Sequence, residues 1–235
     1  NNKVDIERDS EAGVKWDGPF GVIINRFSAS ASEIFAGAIQ DYGRGIVLGS
    51  TTYGKGTVQS AIEMERFISP TNKLLIKASG EKKDADTPQG APEFGQINVT
   101  IAKFYRVNGS STQHKGVEAD ITFPTQFSAE KFGESSEKSA LPWDQINTAQ
   151  FNLVANLKDT NKILQEKHLK RMDGSEQYKF LLDDIKEFNK EDAAPQISLN
   201  QAQLKKERDA NKEKKNVKKD ETVKAKEINL SASLS

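Results

Sequence analysis

The stretch PFGVIINRFSASASEIFAGAIQDYGRGIVLG, residues 19–49, decides the fold of this chain. It opens with PFGVIIN, a short apolar run rich in β-branched residues that predicts a buried strand over Pro19–Asn25. Apolar residues then recur at helical spacing over Ser28–Gly43, and the glycine at its end can stop that helix. GIVLG, Gly45–Gly49, predicts a second buried strand. The order β-α-β predicts that the two strands pair in parallel and are covered by helices.

The next segments predict further strands. From Thr57 onward apolar and polar residues alternate, which is typical of a strand and not of a helix. Two more strands are predicted at KLLIKAS, Lys73–Ser79, and at INVTIAKFYRV, Ile97–Val107. The polar stretch between them, Gly80–Gly95, contains Pro and Gly and is expected to be an exposed loop. The first part of the chain is therefore predicted to be an α/β core, a mixed sheet with packed helices.

Beyond Leu141-Pro142-Trp143 the composition shifts to residues that favour helices. We therefore expect two domains: residues 1–139 as the α/β core and residues 140–235 as an all-helical C-terminal domain. The predicted helices run roughly over Thr148–Lys170, Ser175–Asn189 and Leu199–Lys219.

The composition limits the chemistry of the chain. Lys plus Arg equals Asp plus Glu at 34 each, so net charge gives no reason to expect a nucleic-acid or membrane-surface partner. The lysine-rich residues 205–227 are interpreted as a solvated helix or frayed tail, with a nucleic-acid or anionic-lipid contact as the alternative. Cysteine is absent, which excludes disulfides, thiolate nucleophiles and Cys-ligated metals. The chain begins in polar residues and enters a buried strand directly, which suggests a piece of a longer protein.

The segment GSTTYGKGT, Gly49–Thr57, comes within one residue of the P-loop pattern G-x-x-x-x-G-K-[ST]. A P-loop needs a hydroxyl after its lysine and a helix whose N-terminus faces the phosphates. Here Gly56 occupies the hydroxyl position and a strand follows, which disfavours nucleotide binding. Two other roles remain for Lys55. It is either an ordinary solvated lysine in a Gly-rich turn or a general base, a role that lysine takes when burial lowers the pKa of an amine.

The residues Ser30-Ala31-Ser32-Glu33 match the S-x-x-E capping-box pattern, so Ser30 is expected at a helix N-terminus. It can be simply a cap, or a nucleophile beside the free N–H groups on which an acyl-transfer oxyanion forms. A Ser-His-Asp triad is disfavoured because His114 lies in a polar turn and His168 is expected to face solvent. Residue types alone leave both a Ser30–Lys55 dyad and a purely structural pair open.

The segment VIINRFSASASEIFAGAIQDYGRGIVLGSTTYGKGTVQ resembles the active-site region of the carboxyl-terminal processing proteases, peptidase family S41, and within them the tail-specific protease branch. The motifs S-A-S-A-S-E-I and G-K-G-T-V-Q, at this separation, carry the resemblance. It implies that Ser30 is the nucleophile, Lys55 the general base and Gln59 the residue that orients the lysine. Even spacing on one strand would point the lysine and glutamine to the same face. The N–H of Ala31 is expected to donate one oxyanion hydrogen bond.

Two later segments, FYRVNGSSTQHKGVEADITFP (Phe104–Pro124) and ALPWDQI (Ala140–Ile146), are similar to segments of the tail-specific branch. The resemblance thus spans nearly the whole chain and implies a ClpP/crotonase-like α/β protease core followed by the helical domain. It implies a serine endopeptidase acting on proteins or peptides with apolar C-termini, with an adaptor protein as a further partner. It implies no cofactor, no metal and no nucleic-acid partner. The implied location is the bacterial periplasm, with membrane association of the parent protein allowed.

Members of this family carry, upstream, a PDZ domain that captures substrate C-termini by strand addition, and a Gly-rich turn that supplies a second oxyanion donor. Neither is found in this sequence. We therefore expect the chain on its own to be weakly active or inactive. The alternative from another class is a non-catalytic protein-interaction module, in which Ser30 only caps a helix and Lys55 is solvated.

Overall fold

The structure is a computed structural model that describes residues 5–11, 13–78, 94–194 and 198–212. Most of the loop predicted at Gly80–Gly95 lies outside these residues, as does the last part of the helix predicted at Leu199–Lys219, of which residues 201–212 are helical. Short 3₁₀ turns occupy Met64–Phe67 and Glu134–Ser136. The other elements are β1 (Gly21–Ile24), α1 (Ala31–Asp41), β2 (Ile46–Gly49), β3 (Thr57–Glu63), α2 (Pro70–Ala78), β4 (Gln96–Lys103), β5 (Ile121–Thr122), α3 (Ala129–Phe132), α4 (Lys158–Asp173) and α5 (Glu176–Asp192).

A parallel sheet of three strands, in the order β1-β2-β5, forms the centre of the α/β part. Helix α1 connects β1 to β2, and the register of these strands pairs Val22 with Val47. The middle strand pairs with β5 through Leu48 and Ile121. The predicted β-α-β unit with parallel pairing is confirmed.

The core of this sheet is a small cluster of buried apolar side chains, Ile24, Ala36, Val47 and Val117. These side chains come from β1, α1, β2 and the segment before β5, so one apolar cluster packs all four of these segments together. Gly49 ends β2 with φ +121°, and a Cβ built there would lie 1.9 Å from the carbonyl oxygen of Ile24. Only glycine allows β1 and β2 to approach so closely where β2 ends.

A second sheet contains two antiparallel strands, β3 and β4. Their register pairs Ile62 with Ile97 and shifts by an irregularity between Val58 and Gln59. The strands predicted after Thr57 and from Ile97 are therefore confirmed. This irregularity falls next to Gln59, which is one of the predicted site residues.

The strand predicted at Lys73–Ser79 is wrong, because Pro70–Ala78 forms helix α2. The apolar run Leu74-Leu75-Ile76 fits either a short buried strand or a helix, and periodicity cannot separate the two at this length. The signal that decides lies just upstream. Ser69 accepts a hydrogen bond from the Asn72 N–H at its hydroxyl (3.3 Å), and proline follows it at the first helical position, where a missing N–H costs nothing.

The helix predicted from Thr148 begins only at Lys158. The intervening residues bond to the α/β core instead of to one another. The Ala149 N–H donates to the Val107 carbonyl (2.8 Å) and the Val154 N–H donates to the Tyr42 carbonyl (2.8 Å). These tertiary hydrogen bonds override the local helix propensity. Helix α5 begins as predicted, with Ser175 as its N-cap accepting a hydrogen bond from the Tyr178 N–H.

His168 contradicts its prediction, because its side chain is buried and not solvent-facing. It lies on α4, and its ring stacks on Phe123, which follows β5, with 5.0 Å between centroids. Helix α4 thereby packs on the α/β core. The chain thus has an α/β core followed by a helical region, as expected. None of the helices in the described ranges is long and apolar enough to cross a membrane.

Candidate active site

Ser30 lies at the turn between β1 and α1, where it is the N-cap of the helix, as predicted. Its side chain is half-buried. Its backbone has φ 55° and ψ −114°, a positive-φ conformation that costs a non-glycine residue about 1–3 kcal/mol. A strained strand-to-helix turn is also what exposes the serine of the G-x-S-x-G nucleophile elbow. The strain at Ser30 therefore points to a functional role for this residue.

Glu33, fully buried on the first turn of α1, connects Ser30 to the loop that carries Lys55. Its Oε2 accepts hydrogen bonds from the backbone N–H groups of Ser30 (2.9 Å) and Lys55 (2.8 Å). Its Oε1 accepts hydrogen bonds from the Gly54 N–H (2.7 Å) and the Thr52 hydroxyl (2.5 Å). Because one oxygen atom accepts from both amides, the backbone nitrogens of Ser30 and Lys55 are separated by no more than the sum of these two hydrogen-bond lengths.

The Glu33 carboxyl is under opposing influences. Burial raises its pKa, and the hydrogen bonds from Thr52, Gly54, Ser30 and Lys55 act against that rise because they favour the charged form. The result is a raised pKa, so burial outweighs the hydrogen bonds. A carboxylate that is surrounded by donors and shielded from water is a rigid support for the groups it binds.

Arg26 is the buried cation of this region. Burial lowers the pKa of its guanidinium, and the negative charges of Glu130 and Glu33 act against that change. Its Nη1 donates to the carbonyl oxygen of Thr52 (2.5 Å). The same threonine binds Glu33 with its hydroxyl, so Arg26 fixes the start of the Lys55 loop from a second side.

The rest of the Lys55 loop is equally well bonded. The Tyr53 N–H donates to the Ser28 carbonyl (2.9 Å), and the Gly54 carbonyl accepts from the His114 N–H (2.8 Å). His114 thus contributes to the site through its backbone. The Gly56 N–H donates to the Gln113 side chain, and its carbonyl accepts from the Phe104 N–H (3.0 Å). A loop with this many partners holds Lys55 in a defined place.

Lys55 and Gln59 line one cavity of about 240 Å³, together with Tyr53, Glu134 and Glu137. Lys55 precedes β3, which begins at Thr57, and the register shift falls just before Gln59. The strand-spacing argument therefore does not apply, although the two side chains share the cavity. Burial and the negative charges of Glu134, Glu137 and Glu33 raise the pKa of Tyr53. The cavity is polar, with carboxylates on one side.

Ser30 is not among the residues that line this cavity. Within the described part of the chain, no hydrogen bond joins Ser30 Oγ to Lys55 Nζ. Lys55 is half-buried. The structure therefore brings together the backbones of Ser30 and Lys55, and it places Lys55 and the exposed Gln59 at one cavity.

The P-loop alternative meets a specific obstacle. The N–H groups of Gly54 and Lys55, which a phosphate would need, are already donated to the Glu33 carboxylate. The segment after Gly56 is a strand, so the loop does not lead into a helix as a P-loop does. No group of three or more His, Asp and Glu residues suited to a metal ion occurs within the described ranges.

Sequence reasoning missed three contributors to this site. Glu33 was predicted only as half of a capping box, and its S-x-x-E pattern carries no sign of the bonds to the second loop. Arg26 and Gln113 gave no signal, because their partners lie far away along the chain. A charged or amide residue that is fully buried can be recognised only once the fold is known.

A serine at a strained strand-to-helix turn is also the arrangement of the nucleophile elbow in α/β-hydrolases. The family comparisons are more specific. Residues 1–123 match the model of Peptidase family S41, and residues 127–234 match the model of the C-terminal domain of tail specific protease. The chain therefore belongs to peptidase family S41.

Individual relatives agree with this assignment. The chain is 39% identical over 210 residues to the tail-specific protease of Haemophilus influenzae, a match covering 88% of this chain and 28% of that protein. It is 28% identical over 168 residues to a probable CtpA-like serine protease of Staphylococcus aureus strain N315, covering 64% of this chain and 33% of that protein. The chain thus spans about a third or less of these curated relatives.

Two solved structures are also similar. One is the photosystem II D1 C-terminal processing protease, at 27% identity over 45% of this chain and 20% of that chain. The other is mature CPAF, at 20% identity over 51% of this chain and 18% of that chain. The TM-score is 0.31 in both cases, which is too low to support a structural argument.

Proposed function

We propose that this chain carries the catalytic residues of a serine endopeptidase, with Ser30 as nucleophile, Lys55 as general base and Gln59 as the residue that orients the lysine. The observation that carries the proposal is the shared carboxylate of Glu33. It binds the backbone of the serine and of the lysine through one oxygen atom. Because Glu33 binds the backbone N–H groups of these two residues and not their side chains, it keeps the nucleophile and the base close together and leaves both side chains available.

The proposed reaction begins when Ser30 Oγ attacks the carbonyl carbon of the scissile peptide and the neutral amine of Lys55 accepts the hydroxyl proton. The carbonyl oxygen becomes an oxyanion beside the first turn of α1, where the N–H of Ala31 is a free donor. Lys55 then protonates the leaving amine, and an ester remains on Ser30. A water molecule, deprotonated by Lys55, hydrolyses that ester and restores the enzyme.

The proposed substrates are proteins or peptides with apolar C-termini. This proposal depends on the similarity to the tail-specific protease of Haemophilus influenzae and on the resemblance of the sequence motifs. An adaptor protein as partner, a bacterial periplasmic location and membrane association of the parent protein are proposed on the same basis. Because the chain spans 28% of that relative, we propose that it is weakly active or inactive by itself.

A second candidate is a non-catalytic interaction module in which Ser30 only caps α1. One observation favours it: the described residues contain no hydrogen bond between Ser30 Oγ and Lys55 Nζ. The backbone strain at Ser30 favours the enzyme instead, because a cap alone does not require a positive φ.

A fluorophosphonate probe, which phosphonylates activated serines with loss of fluoride, separates the two candidates. In the full-length protein that contains this chain, the enzyme hypothesis expects covalent labelling of the peptide that includes Ser30. Ser30→Ala and Lys55→Ala should each abolish it, while Lys138→Ala, a change at an exposed lysine, should not. Absence of labelling in the folded wild-type protein supports the interaction module.

A further inference from the structure

Gln113 is a fully buried amide that links the Lys55 loop to Glu134. Its Oε1 accepts a hydrogen bond from the N–H of Gly56, the residue after Lys55 (2.8 Å). Its Nε2 donates to Oε1 of Glu134 (3.1 Å), and that carboxylate is itself 9% exposed. One side chain therefore bridges the Lys55 loop and the Glu134 carboxylate.

Glu134 also contacts the loop directly. Its backbone N–H donates to the carbonyl of Tyr53, two residues before Lys55 (3.0 Å). Glu134 is thus linked to the chain on both sides of Lys55. Before Lys55 it binds Tyr53 directly, and after Lys55 it is linked to Gly56 through Gln113. It lies within residues 127–234, the part that matches the C-terminal domain of tail specific protease and not the S41 model.

The hydrogen bonds through Gln113 and Glu134 restrict movement of the Lys55 loop. A Cβ at Gly56 would lie 2.7 Å from the Gln113 backbone nitrogen, so the two segments are in close contact. The segment that carries Gln113 is fixed from the helical side as well. The indole N–H of Trp143 donates to the Ser111 carbonyl (2.9 Å), and the Ser111 N–H donates to the Asp144 carbonyl (3.2 Å). Movement of the loop would leave buried polar groups unpaired, which is costly.

We propose that Gln113 and Glu134 are positioning residues for Lys55, and that the segment matching the C-terminal domain of tail specific protease is thereby a working part of the active site. The inference depends on the proposed function, because Lys55 must act as the base for its position to matter. Glu134 also lines the cavity that Lys55 and Gln59 line. Gln113 and Glu134 both act through the backbone on the two sides of Lys55.

The test measures the rate constant for fluorophosphonate labelling of Ser30 in the full-length protein. Glu134→Ala removes the acceptor of the Gln113 amide and should lower that rate constant about tenfold. Glu134→Asp keeps the charge but shortens the side chain, so it should lower the rate by a smaller factor and is the variant to use if Glu134→Ala does not fold. Glu134→Gln can still accept from the Gln113 amide through its carbonyl oxygen and should restore most of the rate.

Three readouts separate positioning from a merely structural role. A structural defect lowers the fraction of protein that is labelled, whereas a displaced base lowers the rate constant of the folded fraction. With a peptide substrate, kcat should fall while KM stays within about twofold, because no substrate contact is lost. Combining Glu134→Ala with Gln113→Ala should cost no more than the worse single change, since both break one linkage. Glu166→Ala, at an exposed glutamate of α4, is the matched control.

The outcomes are distinguishable. Rate constants within twofold of wild type for Glu134→Ala and Glu134→Asp would overturn the inference while leaving the proposed function intact. A Glu134→Gln variant as slow as Glu134→Ala would also overturn it, because the hydrogen bond to Gln113 would then not be the cause. A folded wild-type protein that is not labelled at Ser30 would overturn the inference and the proposed function together.

Discussion

The backbone N–H groups of Ser30 and Lys55 donate to the same oxygen atom, Oε2 of Glu33, at 2.9 and 2.8 Å. The first amide begins helix α1 and the second belongs to the loop between β2 and β3. Two elements of different kinds are therefore fixed to one atom that is shielded from water. A change in that carboxylate must affect both elements at once.

Glu33→Gln is the change that tests this support most directly. The amide keeps one accepting oxygen and places an NH₂ group against backbone N–H donors, so at least one pair of hydrogen bonds is lost. We expect stability to fall by about 1–3 kcal/mol and labelling of Ser30 to slow by about 100-fold or more. Urea unfolding and the labelling rate measure the two effects. Glu166→Gln, on the exposed face of α4, should leave both unchanged.

The buried charge of Glu33 also predicts a pH dependence. Burial raises the pKa of Glu33 in the folded protein above its ordinary value. A group with a raised folded pKa contributes stability that is fully present below the unfolded pKa and is lost as pH rises through the folded pKa. The stability of wild type minus that of Glu33→Gln should therefore shrink as the pH rises above about 4.3, the ordinary pKa of glutamate.

Thermal unfolding of the two proteins over that pH range measures the difference. A difference that grows with pH would show that the four hydrogen bonds to the charged carboxylate outweigh the cost of burying it. Glu33 is compared with its own amide variant, so the titration of all other groups is common to both proteins and largely cancels.

Part of the fold and site could be predicted because the signals are local. The β-α-β unit follows from two continuous apolar runs around a helical pattern, and the position of Ser30 follows from S-x-x-E. The roles of Lys55 and Gln59 came from the resemblance of motifs, and they stay predictions. Helix α2 was predicted as a strand because three adjacent apolar residues fit either structure, and the weight of Ser69-Pro70 as a helix start was missed.

The rest depends on contacts between segments that are far apart in the chain. Nothing near Gln113 in the sequence indicates that its amide meets Gly56 on one side and Glu134 on the other. The burial of His168 depends in the same way on Phe123, a residue of the α/β core. Tertiary packing of this kind has no local period or spacing, so a single sequence cannot reveal it.

The backbone conformation of Ser30 predicts an unusual order of stability among its variants. Ser30→Ala and Ser30→Gly both remove the hydroxyl and should both abolish labelling. Glycine adopts φ 55° without steric cost, whereas alanine keeps the strain. We expect Ser30→Gly to be more stable than Ser30→Ala by about 1–3 kcal/mol in urea unfolding. Ser32→Gly and Ser32→Ala, in the first turn of the same helix, should show the opposite order because glycine is less favourable than alanine in the helical conformation.

Substitution of Gly49 tests how closely β1 and β2 approach each other where β2 ends. A Cβ at this position would lie 1.9 Å from the Ile24 carbonyl oxygen, and φ is +121°. Gly49→Ala must therefore push the two strands apart beside the turn that carries Ser30, and we expect a loss of about 3 kcal/mol or more. Gly174→Ala is the matched control, because no atom lies within 4 Å of its added Cβ and its φ is −87°. That variant should change stability by less than about 0.5 kcal/mol. Equal losses in the two variants, measured by urea unfolding, would contradict the close approach of β1 and β2.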